Sequence, residues 1–446
     1  MDKIKIGYAP TRRSIFSAPD AVKYRGLTAK RLEELGVDFV DITDINDEGL
    51  LYNDEGLEKI IAKFKKEKVD GLFLPHCNFG TEYECARLAK ALDVPVLLWG
   101  PLDERPEPDG TRLRDTQCGL FATGKVLRRF RVPFTYMTNC RLNDPVFERG
   151  IKDFLAVCNV VKTFKNIRIL QISTRPFDFW TTMCNEGELL EKFNIQLAPI
   201  PMPELTDEVK KAKAEQTEVQ EVMQYCRDNM EICIKEDELE NVAALKVAMK
   251  HLAEKYGCKA IAIQCWNQLQ SELGIMPCAA NSLLNDEGIP TVCETDIHGA
   301  ITALMVEAAG MGETRSFFAD WTIRHPDVEN GELLQHCGPW PISIAKELRS
   351  LLTRWHSSIR EASQLRQNTA MFLWYVLTGT TESIHFFSEM QKVSTDRKVW
   401  ELTSGLRLRT LNVLRLNWLR DHTFITVSVS TRMLFRYFTR HVNISV

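Results

Sequence analysis

Strand and helix patterns alternate over the first 140 residues, and this regularity restricts the fold more than any other feature of the chain. Ile4 to Tyr8 reads as a strand, and a helix through Tyr24 to Leu35 is stopped by Gly36. Val37 to Ile42 predicts a second strand. A helix over Gly56 to Lys68 follows, with Leu57, Ile60, Ile61 and Phe64 on one face. The same order continues with a strand at Val69 to Leu74, a helix at Thr81 to Leu92 and a strand at Val94 to Trp99. A helix near Gln117 to Phe130 and a strand at Phe134 to Thr138 close the run. Such alternation predicts an α/β protein with a doubly wound parallel sheet, because parallel strands need crossover helices to join them. A second unit of the same kind starts near Asn166. Strands are expected at Ile167 to Ser173, Ile195 to Ile200, Ala260 to Gln264, Thr291 to Glu294 and Ser316 to Asp320, the last completing the unit. The charged helical region from Glu204 to Tyr256 is expected to turn a Glu/Lys face to solvent.

Composition changes abruptly near position 347. All 13 cysteines and all 18 prolines precede it, and only Gly379 and Gly405 supply glycine afterwards. From Leu348 to Val446, 14 Lys and Arg face 6 Asp and Glu, a local +8, so the remainder carries −12 of the total −4. A globular stretch of that length ordinarily needs Gly and Pro at its turns. Three accounts compete: a basic helical arm for nucleic acid or a partner, a divergent domain, or a reading-frame shift near Glu347 or Leu348. The last makes a testable reconstruction. Joining the last base of each codon to the first two of the next, with permitted synonymous codons, turns Asp421 to Thr431 into Gly-Pro-Tyr-Ile-His-His-Cys-Val-Gly-Ile-His. The recovered strings elsewhere in the tail carry turn glycines, alternating strands and an amphipathic helix, so a frameshifted tail is the expectation taken forward.

The overall balance gives no reason to expect nucleic acid or a membrane surface as partner. No apolar run approaches the roughly 20 residues of a membrane span. The chain enters its first strand at once, without a signal-peptide pattern, and its cysteines form no CxxC pair. A cytoplasmic protein with reduced thiols is expected.

Ligands of open parallel sheets bind beyond the carboxyl ends of the strands. Three polar clusters fall there. Pro75 to Glu82 contains His76 and Asn78, where a substrate contact and a turn role are equally open. Ser173 to Pro176 contains Arg175, a candidate sugar or anion contact. The third set joins Gln264-Cys265-Trp266-Asn267, Cys293-Glu294-Thr295-Asp296 and Ala319-Asp320-Trp321. Two carboxylates on neighbouring strand ends suit a hard divalent ion such as Mn²⁺ or Mg²⁺. Acids past strand ends are also often helix caps, and Asp296 before Gly299 suits that role. Arg112, Arg114 and Lys125 read as surface or subunit contacts. Gly119 and Gly124 lack the rest of a P-loop, and His298 reads equally as a pocket residue or a helix-start histidine.

Residues 1–345 resemble the L-fucose isomerase/L-arabinose isomerase family in order and motif. Thr291-Val292-Cys293-Glu294-Thr295-Asp296-Ile297-His298-Gly299-Ala300 resembles its strand bearing the first metal-binding glutamate, and Ser316-Phe317-Phe318-Ala319-Asp320 its Phe-Ala-Asp motif. The resemblance implies Glu294 and Asp320 as ligands of Mn²⁺ or another divalent cation and as proton-transfer groups. Ala262-Ile263-Gln264 implies Gln264 as a contact to sugar hydroxyls, although the residues after it differ from the pattern. Arg175 and Asn78 complete the substrate-binding candidates. The activity implied is aldose–ketose isomerisation of a fucose- or arabinose-like free sugar through an enediol, by a homo-oligomer. The family's third ligand is a C-terminal histidine. His356, His385, His422 and His441 stand in no matching context, whereas the recovered Gly-Pro-Tyr-Ile-His-His-Cys string resembles it. Without a third ligand, this chain is expected to have impaired activity. The expected organisation is therefore an N-terminal α/β domain at 1–165 and a second at 166–345 with the carboxylate site. A segment at 346–446 follows, out of frame and lacking the native domain fold. The alternative is a non-catalytic sugar-binding or regulatory protein.

Overall fold

The structure, a computed structural model, describes residues 3–165, 167–232, 234–266, 268–313, 315–324, 331–336, 339–344, 350–351, 371–379, 384–394, 405–407 and 426–429. His356, His422 and His441 lie outside these residues, as does most of the segment 346–446. The chain divides into two compact units, one ending at Lys162 and the other starting at Thr163.

The first unit runs β1 Lys5–Tyr8, α1 Ala18–Glu34, β2 Asp38–Val40, α2 Asp54–Glu67, β3 Gly71–Pro75, α3 Glu82–Leu92, β4 Val96–Trp99, α4 Thr116–Arg129, β5 Thr135–Tyr136 and α5 Pro145–Phe164. Its five strands are parallel in the order β2-β1-β3-β4-β5. Helices cover both faces because the central strands are apolar on both. One core joins Leu72, Leu74, Val96 and Leu98 to Leu57, Ile60 and Phe64 of α2 and to Leu88 of α3. The other joins Ile6, Tyr8, Phe73, Leu97 and Trp99 to Leu32 of α1 and Phe154 of α5. Helix α2 shows how local sequence sets an element: Asn53 caps it by accepting from the Gly56 amide at 2.9 Å, and Lys68 ends it in the left-handed conformation.

The second unit continues with β6 Arg168–Ile172, α6 Glu186–Phe193, β7 Gln196–Ile200, α7 Met202–Glu215, α8 Thr217–Asn229, β8 Glu231–Ile232, α9 Glu236–Lys255 and β9 Ala260–Ile263. Then follow α10 Gln268–Leu273, α11 Cys278–Asp286, β10 Thr291–Val292, α12 Ile297–Ala309, β11 Phe317–Arg324, β12 Gly331–Gln335, β13 Ser350–Leu351, β14 Met371–Gly379, β15 Ile384–Ser394, β16 Gly405–Arg407 and β17 Thr426–Val429. His385 falls in β15. The parallel sheet has the order β10-β9-β6-β7. The α/β expectation, with two parallel sheets, holds.

Two local expectations are corrected. The strand at Ser316 to Asp320 does not complete this sheet. It lies in β11, which pairs antiparallel with β12 and β17 in a separate closed barrel. The Glu/Lys face of 204–256 is solvated only in part. On α7, Lys210–Asp207 and Lys211–Glu208 pair at 2.8 Å near solvent. Helix α9 instead buries Leu239, Val242, Leu245, Met249 and Leu252 with Leu170, Ile172, Ile261 and Ile263 of the sheet. Even Lys246 is buried there, paired with Glu287 at 2.5 Å. The charges along α9 belong to a helix that is covered by its neighbours. Among the described residues no helix is long and apolar enough to cross a membrane, and 11 cysteines are all free.

Candidate metal and sugar site

In the second sheet, β6 leads to β7 on one side while β9 and β10 extend the other, so the chain reverses direction between β6 and β9. Such switch points are where open α/β sheets hold ligands. The residues just past these strand ends are linked. Ser173 Oγ donates to Gln264 Oε1 at 2.7 Å, and the Gln264 amide continues the ladder to Ile172 O at 3.0 Å. Beyond β10, Glu294 and Thr295 take φ values of 53° and 55°. This left-handed backbone costs a non-glycine residue about 1–2 kcal/mol and is concentrated at functional sites. It turns Glu294 inward: the residue is 4% exposed.

One oxygen of that carboxylate, Oε1, accepts from Cys265 Sγ at 3.3 Å. The other, Oε2, is buried and accepts no hydrogen bond. His336 Nε2 stands 3.6 Å from it, with side-chain exposures of 4% and 5% for the pair. A buried carboxylate oxygen without a donor carries a large desolvation cost unless a cation meets it. Asp296 lies close by. Burial chiefly, then the neighbouring charges of Glu294 and Asp320, push its carboxyl up to about 7, against the opposing pull of the His298 and Gly299 amides. Asp320, itself exposed, thus acts on the buried Asp296 together with Glu294. Two hard oxygen donors and an imidazole suit a divalent ion such as Mn²⁺. The orphaned oxygen and the neighbouring acids are the features such an ion would relieve.

His336 was not among the tail histidines that the sequence offered as the third ligand. It stands beside Glu294. The pairing of Asp320 with Gln335 across β11 and β12 brings His336 round to the acids.

The remaining candidates behave differently. Arg175 donates to the carbonyls of Pro176 and Phe177 at 3.2 and 3.0 Å, within its own loop. Asn78 belongs to the first unit and is fully buried. Its Oδ1 accepts from the amides of Arg13 and Gly80, and its Nδ2 donates to the carbonyls of Arg13 and Ser17. The loops past β1 and β3 are thereby stitched together. His76 serves the same turn: Nε2 meets Thr123 Oγ1 at 2.9 Å and Nδ1 the Leu74 carbonyl at 3.2 Å. Burial lowers its pKa to about 4. Arg114, expected at the surface, is buried on Tyr24 and paired with Asp20 at 3.0 Å.

Known proteins extend this picture. Residues 7–165 match the family model of the fucose/sulfoquinovose isomerase N-terminal domain. A sulfoquinovose isomerase from Priestia aryabhattai is 24% identical over 347 residues, covering 77% of this chain and 75% of the relative. A sulfoquinovose isomerase from Alkalicoccus urumqiensis is 26% identical over 261 residues, covering 57% and 56%. Among solved structures, an ABC-transporter solute-binding protein from Burkholderia multivorans is 12% identical, covering 70% of this chain and 95% of its own, with a TM-score of 0.17, and supports no inference. The α/β fold and these relatives define a sugar-isomerase class of protein. The family model and the sulfoquinovose isomerase relatives support the fucose isomerase-like family of aldose–ketose isomerases, intramolecular oxidoreductases of carbohydrate metabolism, as the one this chain resembles.

Proposed function

We propose that this chain is a metal-dependent isomerase that interconverts the aldose and ketose forms of a free sugar at the cluster Glu294, Asp320, His336 and Gln264. The observation that carries this is the buried, donor-free Oε2 of Glu294 facing an imidazole at 3.6 Å. Glu294 and Asp320 would hold Mn²⁺ or a similar ion, with His336 as nitrogen ligand. Bound there, the ion would polarise the sugar's carbonyl and hydroxyl oxygens and stabilise the charge left when a proton leaves carbon. The two carboxylates move one proton between C1 and C2, through an enediol, as base and then acid. Gln264, aimed by Ser173, hydrogen-bonds a sugar hydroxyl. Burial of Glu294 keeps bulk water from its proton.

The candidate substrates are fucose- and arabinose-like aldoses, with sulfoquinovose added because the relatives carry that name. The decisive experiment is purified protein with Mn²⁺ against this panel, read by formation of the ketose. Turnover that disappears in Glu294→Gln and Asp320→Asn supports the proposal; no turnover of any aldose sinks it. The proposal includes a cytoplasmic homo-oligomer, checked by light scattering. It also keeps the frameshift near residue 347, for which sequencing the coding DNA across codons 335–446 is the test. A neighbouring frame without the Gly-Pro-Tyr-Ile-His-His-Cys string refutes it.

A further inference from the structure

The carboxylate of Glu294 has a second side, made of sulfur. Cys265 Sγ donates to Glu294 Oε1 at 3.3 Å and accepts from the Glu294 amide at 3.4 Å. Cys293 Sγ accepts from Asn281 Nδ2 at 3.6 Å. One ligand atom from each of Cys265, Cys293 and Glu294 lies within 4.8 Å of the others, and all three residues are buried. Nothing in the proton transfer described above uses either thiol.

We propose that Cys265, Cys293 and Glu294 form a binding site for a thiophilic divalent cation of the Zn²⁺ or Cd²⁺ class. Sulfur donors select softer ions than a carboxylate-only site does, and thiolate and carboxylate donors are both ordinary ligands of zinc. Each sulfur already receives an N–H donor, the kind of contact that stabilises a metal-bound thiolate and fixes its direction. The charge balance also favours it. Both thiols release their protons to the buffer as the ion enters, so two positive charges leave and two arrive. The buried cluster keeps its net charge, and no uncompensated ion is left inside. The inference shares Glu294 with the proposed isomerase centre. A thiophilic ion would therefore compete with the hard ion and inhibit turnover.

The test is titration of the full chain with Co²⁺ and with Cd²⁺, read by thiolate-to-metal charge-transfer absorption and by calorimetry in two buffers of different ionisation enthalpy. One equivalent should show the thiolate signature and release about two protons per ion near neutral pH. The double variant Cys265→Ser with Cys293→Ser should lose that equivalent, and each single variant should weaken it at least ~10-fold. Cys118→Ser, at an exposed thiol, should leave it unchanged. Should the double variant fail to fold, alkylation mapping of the unaltered chain replaces it, with Cd²⁺ expected to protect Cys265 and Cys293. A thiolate signature that persists in a folded double variant, no signature in the unaltered chain, or alkylation unaffected by Cd²⁺ overturns the inference. Mn²⁺-dependent turnover without a thiolate signature removes this site and leaves the isomerase. The signature in a protein that converts no aldose does the reverse.

Discussion

The carboxylate of Asp296 fills the space a side chain on Gly299 would need: a Cβ there would lie 2.5 Å from Asp296 Oδ2 and 2.8 Å from Phe318 Cε2. The start of α12 is thus packed directly against the acid cluster and against the strand that carries Asp320. Gly299→Ala should cost about 1–3 kcal/mol by overpacking and should also lower turnover, because Asp296 and Phe318 must move. Urea denaturation and kcat/KM measured on one preparation check both. Unchanged values would mean the helix start is looser than this packing implies.

Removal of the imidazole isolates its contribution from that of the acids. His336→Ala should weaken Mn²⁺ binding by roughly 10–100-fold, the usual cost of losing an ordering contact or ligand. The loss of turnover should be partly recovered at high Mn²⁺. Titration calorimetry with Mn²⁺ and a metal-dependence curve decide it. Equal Mn²⁺ affinity in both proteins removes His336 from the centre.

Asn78 offers a contrast. Its side chain makes four hydrogen bonds within one buried turn. Asn78→Ala would strand several of those partners, at about 1–3 kcal/mol for each unsatisfied group. A clear fall in Tm with KM unchanged is expected. A raised KM with stability intact would return Asn78 to the sugar.

Asp153 on α5 is buried with Oδ1 unbonded, and burial pushes its carboxyl up to about 7 against the pull of Arg149. Because the folded protein holds this proton more tightly than the unfolded chain, stability should fall as pH rises from about 4 to about 7 and then level off. Asp153→Asn should flatten that slope and raise stability at pH 8 by a few kcal/mol. Denaturation midpoints between pH 4 and pH 8 check the sign. A wild-type stability that rises through this window more steeply than the variant's would contradict it.

The first sheet was legible because its strands are short, apolar and separated by helices with one oily face. Leu57, Ile60 and Phe64 mark the buried side of α2 in the sequence as in the structure. Glu294 and Asp320 stand out in the sequence only through the motifs around them, since spacing alone does not separate a ligand from a helix cap. The burial of α9 was hidden because its charges sit among alanines and leucines that neighbouring helices cover, and a single helix pattern says nothing about its neighbours. His336 was hidden for a related reason. Its place beside Glu294 depends on the register of β11 against β12, a long-range pairing that local periodicity does not encode.

Glu294 and Thr295 hold a left-handed backbone. The conformational cost of aiming the carboxylate is therefore a cost to the stability of the fold. The same fact makes the position vulnerable to selection for robustness alone. A library screened only for thermal stability should drift towards glycine or asparagine at 294 and 295, gaining melting temperature while losing the chemistry.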